Sequence, residues 1–288
     1  MNTLEITKNI MRSNKIFAKK GFGQNFLVDD NVLNNIVDMS NVSSDDLVIE
    51  IGPGLGNLTE YLLNTGAEVL CYEIDKDMID ILNVRFKKIE TLTIKNEDIL
   101  KANLEQILKD TDKNIKVIAN LPYYITTPII FKLLEYKDRI TSITIMVQKE
   151  VADRIVAKPH SKNYGVLTIN INYVADVIKL FDVPNTSFIP APNVTSSVVK
   201  IVPNKEKEQK LNILDQKTFN DLVKCAFLAR RKKLANSIAN SKLLEKEEIE
   251  KIIEKLGFDM NCRAEELSIE QYVKLSNEIY DKKEKSVV

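Results

Sequence analysis

The 288-residue chain has one histidine, no tryptophan and three cysteines. The lone His160 argues against metal centres and catalytic triads that need imidazole, and no metal site is expected. Cys71, Cys225 and Cys262 are odd in number and far apart, which indicates reduced thiols in a cytoplasmic protein and not a disulfide framework. No apolar run approaches the ~18 residues of a membrane span. Residues 1–25 lack the apolar core of a secretory signal, so neither membrane insertion nor secretion is expected.

Net charge is also absent, because 41 basic residues cancel 41 acidic ones. The basic residues are nevertheless concentrated in two places. Residues 1–25 hold five of them against Glu5 alone, and residues 218–242 hold six against Asp221 alone. Two basic segments on a neutral chain indicate a surface that binds a polyanion, or two solvated stretches that bind nothing. Charge alone leaves both readings open.

Glycine is scarce, and five of the eight glycines fall before residue 57. From there, short apolar runs alternate with helical patterns. Strands are predicted at 47–51, 68–73, 91–95, 116–119 and 140–147, with helices at 57–64, 76–88 and 127–136. Continuously apolar strands that alternate with helices are typical of an α/β fold with a doubly wound parallel sheet.

The elements that flank this sheet are less regular. Asp29 is predicted to cap a helix whose apolar positions share one face: Val32, Leu33, Ile36 and Val37. After a helix near 148–157, the runs VLTININ, VIKLFDV and SSVVKIV predict antiparallel strands that close one edge of the sheet. Helical spacing returns at 218–229, 231–240, 246–256 and 268–280. The expected organisation is a basic segment (1–28), an α/β domain (29–203), a charged linker (204–210) and a small all-helical domain (211–288).

A glycine loop follows the first predicted strand of the sheet, with the spacing G-x-G-x-G at Gly52, Gly54 and Gly56. The dinucleotide fingerprint G-x-G-x-x-G would need a glycine at position 57, which is Asn. An acidic residue, Glu50, precedes the loop, where a pyrophosphate would not favour one. The pattern favours a cofactor with a cationic end, such as S-adenosylmethionine (SAM), over a nicotinamide dinucleotide, and an oxidoreductase is kept as an alternative.

Acidic residues also end the second and third strands. Glu73 lies 21 residues after Gly52, where a carboxylate can accept both ribose hydroxyl protons of a cofactor. Asp75 is better explained as the N-cap of the next helix. Asp98 is expected to accept from an adenine amino group, or to cap a short helix. These positions lie at the carboxyl ends of adjacent strands, where open α/β sheets bind ligands.

The fourth strand runs into Asn120-Leu121-Pro122-Tyr123. The Asn120 side-chain oxygen and a backbone carbonyl of Leu121-Pro122 can together accept both protons of a planar exocyclic amine, whose lone pair is then aimed at a methyl group. Tyr123 would stack on the base. The alternative is an ordinary strand-to-helix turn, with Thr127 as N-cap and Pro128 after it.

These four residues resemble the N/D-P-P-Y-type motif of SAM-dependent amino-methyltransferases. The chain as a whole resembles the KsgA/RsmA family of small-subunit rRNA adenine dimethyltransferases. The matching stretches follow one another in the family's order at 21–29, 48–62, 120–130, 146–168, 188–199 and 225–238. Tyr124 is a departure, since many relatives have Asn there, and we expect it to matter little.

The resemblance implies an enzyme with a Rossmann-like SAM-dependent methyltransferase sheet, which dimethylates the N6 of two adjacent adenines near the 3′ end of 16S rRNA in the 30S subunit. Nothing in the sequence demands more than a monomer. It implies that Asn25, Leu27, Gly52, Gly54, Glu73, Asp98 and Asn120 bind SAM. Phe188 is implied as an aromatic wall opposite Tyr123 around a flipped adenine. Lys19, Lys20, Arg230, Arg231, Lys232 and Lys233 would contact rRNA phosphates.

Two further functions are kept as alternatives to this one. Erm-type large-subunit rRNA dimethyltransferases share QNF, the glycine loop and the N-I/L-P-Y motif, but they lack the QKEVADRI and NYGVLT stretches found here. A largely non-catalytic small-subunit assembly factor is the second alternative. Replacing Glu73 or Asn120 would separate binding from chemistry.

Overall fold

The computed structural model describes residues 1–19, 21, 23–241 and 243–287, and their side chains as far as residue 284. Lys20, one of the residues expected to bind rRNA, lies outside the described residues. The chain divides into two compact units. The first comprises Met1–Ala152 and Val177–Pro203, and the second comprises Asp153–Asp176 and Asn204–Val288.

The first unit is built on a seven-stranded sheet with the strand order β4-β3-β2-β5-β6-β9-β7. Its strands are β2 (Asp46–Ile51), β3 (Glu68–Glu73), β4 (Leu92–Asn96), β5 (Asn114–Asn120), β6 (Ile140–Gln148), β7 (Ala175–Val183) and β9 (Ser196–Pro203). The first five of these are parallel, and β9 runs antiparallel to β6. The order reverses between β2 and β5, which opens a crevice at their carboxyl ends. This confirms the predicted α/β fold class with a mostly parallel sheet.

Some helices of the first unit begin at a side-chain cap, and others begin without one. These helices are α1 (Thr3–Ser13), α2 (Asp30–Ser40), α3 (Asn57–Leu63), α4 (Lys76–Arg85), α5 (Glu105–Lys109) and α6 (Thr126–Leu134), followed by α7 (Lys149–Ile155) at the boundary. Asp29 and Asp75 cap α2 and α4 through their side chains, as predicted. Thr127 is not a cap: α6 begins one residue earlier, and the Thr126 hydroxyl donates to the Pro122 carbonyl.

The N-terminal residues are tied to this unit by a short two-stranded sheet. In it, β1 (Phe26–Leu27) pairs antiparallel with β8 (Phe188–Ile189). Helix α1 was not predicted, because the residues that it buries, Thr3 and Thr7, are polar.

The second unit is helical, with α8 (Val166–Asn172), α9 (Lys205–Leu211), α10 (Gln216–Phe227), α11 (Leu234–Asn240), α12 (Lys246–Lys255) and α13 (Ile269–Val287). Their core includes Phe219, Leu222, Tyr272 and Leu275. Within the described part of the chain, no helix is long and apolar enough to cross a membrane.

Two predictions about this unit were wrong. VLTININ was expected to be a strand but forms α8, because Thr168 accepts from the Gly165 N–H and donates to the Arg154 carbonyl while Ile169 enters the helical core. Residues 204–210 were expected to be a linker. They form most of α9, since the Asn204 side chain accepts from the Lys207 N–H and caps a full turn.

Candidate active site

The carboxyl ends of β2, β3, β4 and β5 surround a cavity of about 1030 Å³, part of which is open to solvent. Almost every residue expected to bind the cofactor or target base lines it: Asn25, Leu27, Gly52, Gly54, Glu73, Asp98, Asn120, Leu121, Pro122 and Tyr123. The topology explains this gathering, since parallel strands present their ends at one edge of the sheet. Phe188 is the exception and lies elsewhere.

The glycine loop, at residues 52–56, lines part of the cavity. Gly52 has a φ of +66°, and a Cβ built on it would meet nothing within 4 Å, so a ligand can approach the backbone there. Gly54 has a φ of +56°, and its Cβ would come within 3.2 Å of the Phe26 ring. Each glycine therefore has a local reason: one leaves room for a ligand, and the other lets the N-terminal residues close over the loop.

Glu73 connects the end of β3 to this loop. One carboxylate oxygen accepts from the backbone N–H groups of Ile74 (2.8 Å) and Asp75 (2.9 Å), and the other from that of Gly54 (3.1 Å). Burial raises the pKa of Glu73, and the three N–H groups oppose that rise. Glu73 is only 6% exposed, so its carboxylate is fixed by these hydrogen bonds and is not solvated at the end of the strand.

The charged residues in the described lining of the cavity are all acidic. Four carboxylates line it, from Glu50, Glu73, Glu97 and Asp98, and none of its described lining residues is Lys, Arg or His. Glu50 is buried and accepts from the Thr59 hydroxyl at 2.6 Å. Burial raises the pKa of the Glu50 carboxyl to about 7. Such an environment favours a cationic ligand. No group of three or more metal-ligating side chains occurs among the described residues.

The Asn-Leu-Pro-Tyr segment presents two acceptors. The Asn120 side-chain amide donates to the Asn25 carbonyl at 3.2 Å, which orients its own oxygen away from that carbonyl. The Pro122 carbonyl already accepts from Ile125 and Thr126, within the turn that starts α6. The Leu121 carbonyl is therefore the better candidate for the second acceptor.

Tyr123 is held by a residue that sequence reasoning missed. Its hydroxyl lies 2.7 Å from the hydroxyl of Ser196, a fully buried residue at the start of β9. Burial raises the pKa of Tyr123, so the phenol stays protonated at neutral pH. The only advance signal was the position of Ser196 in the FIPAPNVTSSVV stretch, eight residues after Phe188.

Phe188 is placed differently from the expectation. It pairs with Leu27 in the short β1–β8 sheet, is 3% exposed and packs in the core with Met146 and Val198. Among the described residues, the cavity lining includes Tyr123 and Tyr124 but not Phe188. Tyr124 is 56% exposed, and its ring lies over Gly23 at the mouth of the cavity. A role for Phe188 at the target base remains a prediction.

Two other predicted positions, Asp98 and Lys19, differ in whether their side chains are available to a ligand. The Asp98 carboxylate accepts from the Leu100 N–H through one oxygen at 3.0 Å, so it caps a turn and keeps a second oxygen for a ligand. Lys19 forms ion pairs with Asp75 (2.8 Å) and Asp77 (2.6 Å). That lysine is thus committed to the protein's own carboxylates, whereas the sequence suggested a phosphate contact.

In the second unit, residues 228–233 connect α10 to α11 and are not helical, contrary to the predicted spacing. The Arg230 guanidinium donates to the Lys162 and Tyr164 carbonyls at 2.8 and 3.1 Å, which fixes the fold of this connection. A concave area, called here the cationic surface, is lined by Arg231, Lys232, Lys233, Lys246 and Arg263 together with Asn236, Asn240 and Asn261. No acidic residue is among its described lining residues.

Comparison with known proteins adds the family. The model of the family described as ribosomal RNA adenine dimethylase matches residues 16–281. The chain is 41% identical to ribosomal RNA small subunit methyltransferase A of Bacillus cytotoxicus, over 97% of each chain. It is 45% identical to the protein of the same name from Lachnoclostridium phytofermentans, over 93% of each.

Solved structures share the fold of this chain. A dimethyladenosine transferase from Plasmodium falciparum superimposes with a TM-score of 0.76 at 26% identity, over 88% of this chain and 97% of that one. The 23S rRNA methyltransferase ErmE superimposes with a TM-score of 0.66 at 22% identity, over 89% of this chain and 100% of that one. The second likeness shows the fold alone.

Proposed function

The chain belongs to the ribosomal RNA adenine dimethylase family, and we propose that it transfers methyl groups from SAM to the N6 of two adjacent adenines near the 3′ end of 16S rRNA in the small ribosomal subunit. The observation that carries this proposal is the convergence of the glycine loop, Glu73, Asp98 and the Asn120–Tyr123 segment on one acidic cavity. The curated relatives named as small-subunit methyltransferases support the choice of subunit.

The charge of the cavity suits SAM. SAM carries a sulfonium and an ammonium against one carboxylate, and when bound it supplies the methyl group. We assign its ribose hydroxyls to Glu73, its adenine to Asp98, and its amino-acid end to the glycine loop with Asn25 and Leu27. Four lining carboxylates without a lysine, arginine or histidine partner in the described lining favour this cationic molecule.

The chain's own groups hold the target amine. Asn120 is oriented by the Asn25 carbonyl, so its side-chain oxygen and the Leu121 carbonyl can accept the two N–H protons of an adenine amine. Those hydrogen bonds favour a pyramidal nitrogen whose lone pair is directed at the methyl donor. Catalysis then comes from alignment and from exclusion of water, without a strong general base.

The target adenine must leave its stack to reach Asn120. We assign Tyr123 as the ring on which it stacks, with the Ser196 hydroxyl fixing the ring's direction. Phe188 would reach the base only if the short β1–β8 sheet shifted, because its side chain is buried there.

We also propose that the cationic surface contacts rRNA phosphates through Arg231, Lys232 and Lys233. We further propose that the enzyme acts as a monomer. A cytoplasmic location follows from the proposed substrate.

The test is methyl transfer from labelled SAM to purified small subunits that lack the modification, with large subunits in parallel. Label on small subunits alone is the expected result. Label on large subunits would favour an Erm-type enzyme. SAM binding and subunit retention without label would favour an assembly factor.

A further inference from the structure

Residues 23–27 form one side of the cavity, and their attachment to the rest of the first unit is unusually polar. Gly23, Gln24, Asn25, Phe26 and Leu27 all line the cavity. The pairing of β1 with β8 holds Phe26 and Leu27 at the far end of this stretch. At its near end the ties are side-chain hydrogen bonds to Lys19 and to Asp75, the residue that caps α4.

Gln24 makes two of those ties. Its side-chain oxygen accepts from the Lys19 backbone N–H at 2.9 Å, and its amide donates to Asp75 at 2.8 Å. The Lys19 ammonium donates to the other oxygen of the Asp75 carboxylate at 2.8 Å. The Gln24 side chain thus connects Lys19 to Asp75, and the Lys19 ammonium binds the same carboxylate. We call these three residues the tether.

Asp75 is a rigid anchor. Its carboxylate also accepts from the Asp77 N–H at 3.1 Å as the N-cap of α4, and the side chain is 3% exposed. Its backbone N–H donates to Glu73 at 2.9 Å. The same residue therefore orients the carboxylate assigned to the ribose and holds the segment that closes one side of the cavity.

We propose that the tether sets cofactor affinity, with Gln24 and Lys19 acting as positioning residues that hold residues 23–27 closed over the bound cofactor. Neither residue is asked to touch the reacting atoms. The hydrogen bonds join charged or partly buried groups, which makes them stronger than neutral surface ones. Loss of the tether frees the near end of this wall, at Gly23 and Gln24, while the β1–β8 pairing keeps its far end and the Asn25–Asn120 hydrogen bond in place. This inference rests on the proposed SAM site.

The experiment measures the SAM dissociation constant by equilibrium dialysis with labelled SAM, together with KM and kcat on small subunits. Gln24→Ala is expected to raise the dissociation constant and the KM for SAM about tenfold, because a hydrogen bond to a charged group is lost. The kcat at saturating SAM should change less than about twofold, since groups at the amine are untouched. Gln216→Ala is the matched control, because Gln216 is exposed in the second unit, where its side-chain amide donates to Asn220 at 3.0 Å, and it is not among the described residues that line the cavity.

Three further variants keep the inference open to refutation. Lys19→Met should raise the dissociation constant, Lys19→Arg should largely restore it, and Lys19→Met should add little in the Gln24→Ala background because both residues act through Asp75. Measurements are made well below each variant's melting temperature, so a folding defect is not mistaken for weak binding. If the unaltered protein binds SAM and Gln24→Ala binds it equally well, the tether has no such role. If the unaltered protein does not bind SAM at all, the proposed function itself fails.

Discussion

The cavity of the first unit and the cationic surface of the second unit carry charge in opposite ways. The cavity gathers four carboxylates, and the two that are buried, Glu50 and Glu73, are fixed by hydrogen bonds. The cationic surface gathers five lysines and arginines around an open concavity. Buried charges cost free energy unless they are hydrogen-bonded, and each of these two buried carboxyl groups has its own hydrogen-bond donors. Exposed charges cost little free energy, so the cationic surface can attract a polyanion through many charged side chains that each contribute a little.

This contrast predicts that single changes in the cavity are severe and specific, whereas single changes on the cationic surface are mild and additive. It also separates the two basic stretches of the sequence. Lys19, from the first stretch, is held by Asp75 and Asp77 and belongs with the cavity. Arg231, Lys232 and Lys233, from the second, line the concavity and belong with RNA binding.

The largest effect should come from Asn120→Ala. Removing one oriented acceptor in a water-poor site is expected to lower kcat by about 10²–10³. Binding of small subunits should change little, and filter binding checks that directly. If Asn120→Ala kept more than half of the original kcat, Asn120 would not be a catalytic residue, and the separation between chemistry in the cavity and binding on the cationic surface would be wrong. Asn236→Ala, on the cationic surface, is the matched control and should leave kcat unchanged.

Neutralising the cationic surface should act only on subunit binding. The triple change Arg231→Ala, Lys232→Ala and Lys233→Ala is expected to reduce the slope of log affinity against log salt by about 2, from three lost phosphate contacts at ~0.7 each. Equilibrium binding of small subunits at several salt concentrations measures this slope. SAM affinity should stay unchanged, and an unchanged slope would show that these three residues do not contact phosphates.

The two members of the Tyr123–Ser196 pair should differ in degree. Tyr123→Ala removes the stacking ring and is expected to lower kcat/KM for subunits by about tenfold or more, from ~1–3 kcal/mol of lost stacking. Ser196→Ala keeps the ring and removes only the hydrogen bond that orients it. A few-fold loss of kcat/KM is expected from one neutral hydrogen bond. Equal losses, or a larger loss for Ser196→Ala, would contradict a positioning role. Ser197→Ala is a neighbouring control, since Ser197 bonds Asp182 instead.

The smallest effect concerns Glu50 and pH. Its carboxyl has a pKa of about 7 in the folded protein, above the ordinary value of 4.5, because it is buried. The stability it contributes is therefore present below about pH 4.5 and is lost as pH rises through about 7. Glu50→Gln should remove this loss. The melting temperature of the variant minus that of the unaltered protein should therefore increase from pH 5 to pH 8.

SAM binding should show the opposite dependence on the same group. Ionised Glu50 favours a cationic ligand, so the affinity of the unaltered protein should rise as pH passes through about 7. The affinity of Glu50→Gln should rise less over the same interval. Parallel melting curves and binding isotherms at pH 5, 6, 7 and 8 provide the check. Identical pH profiles for the two proteins would exclude Glu50 from both effects.

The sequence was most informative where function depends on backbone geometry at strand ends. Gly52, Glu73 and Asn120 could be placed together before any coordinates, because parallel strands bring their carboxyl ends to one edge. The caps at Asp29 and Asp75 were equally predictable, since each obeys a local rule of helix initiation.

Residues that act through distant partners could not be predicted. Ser196 lies 73 residues from Tyr123, and Gln24 lies 51 residues from Asp75, so no local pattern joins them. The β-branched run at 166–172 was misjudged because the helical core and the Gly165–Thr168 cap outweigh its strand propensity. Arg230 looked like its basic neighbours, yet it bonds two backbone carbonyls.

The most direct test of the central claim is nucleoside mass spectrometry of 16S rRNA from unmodified small subunits incubated with SAM and either the unaltered protein or Asn120→Ala. The account predicts two N6,N6-dimethyladenosines per subunit with the unaltered protein, and none with Asn120→Ala under conditions in which that variant still binds the subunits. Methylation of another base or another position of adenine, or equal product from both proteins, would contradict it.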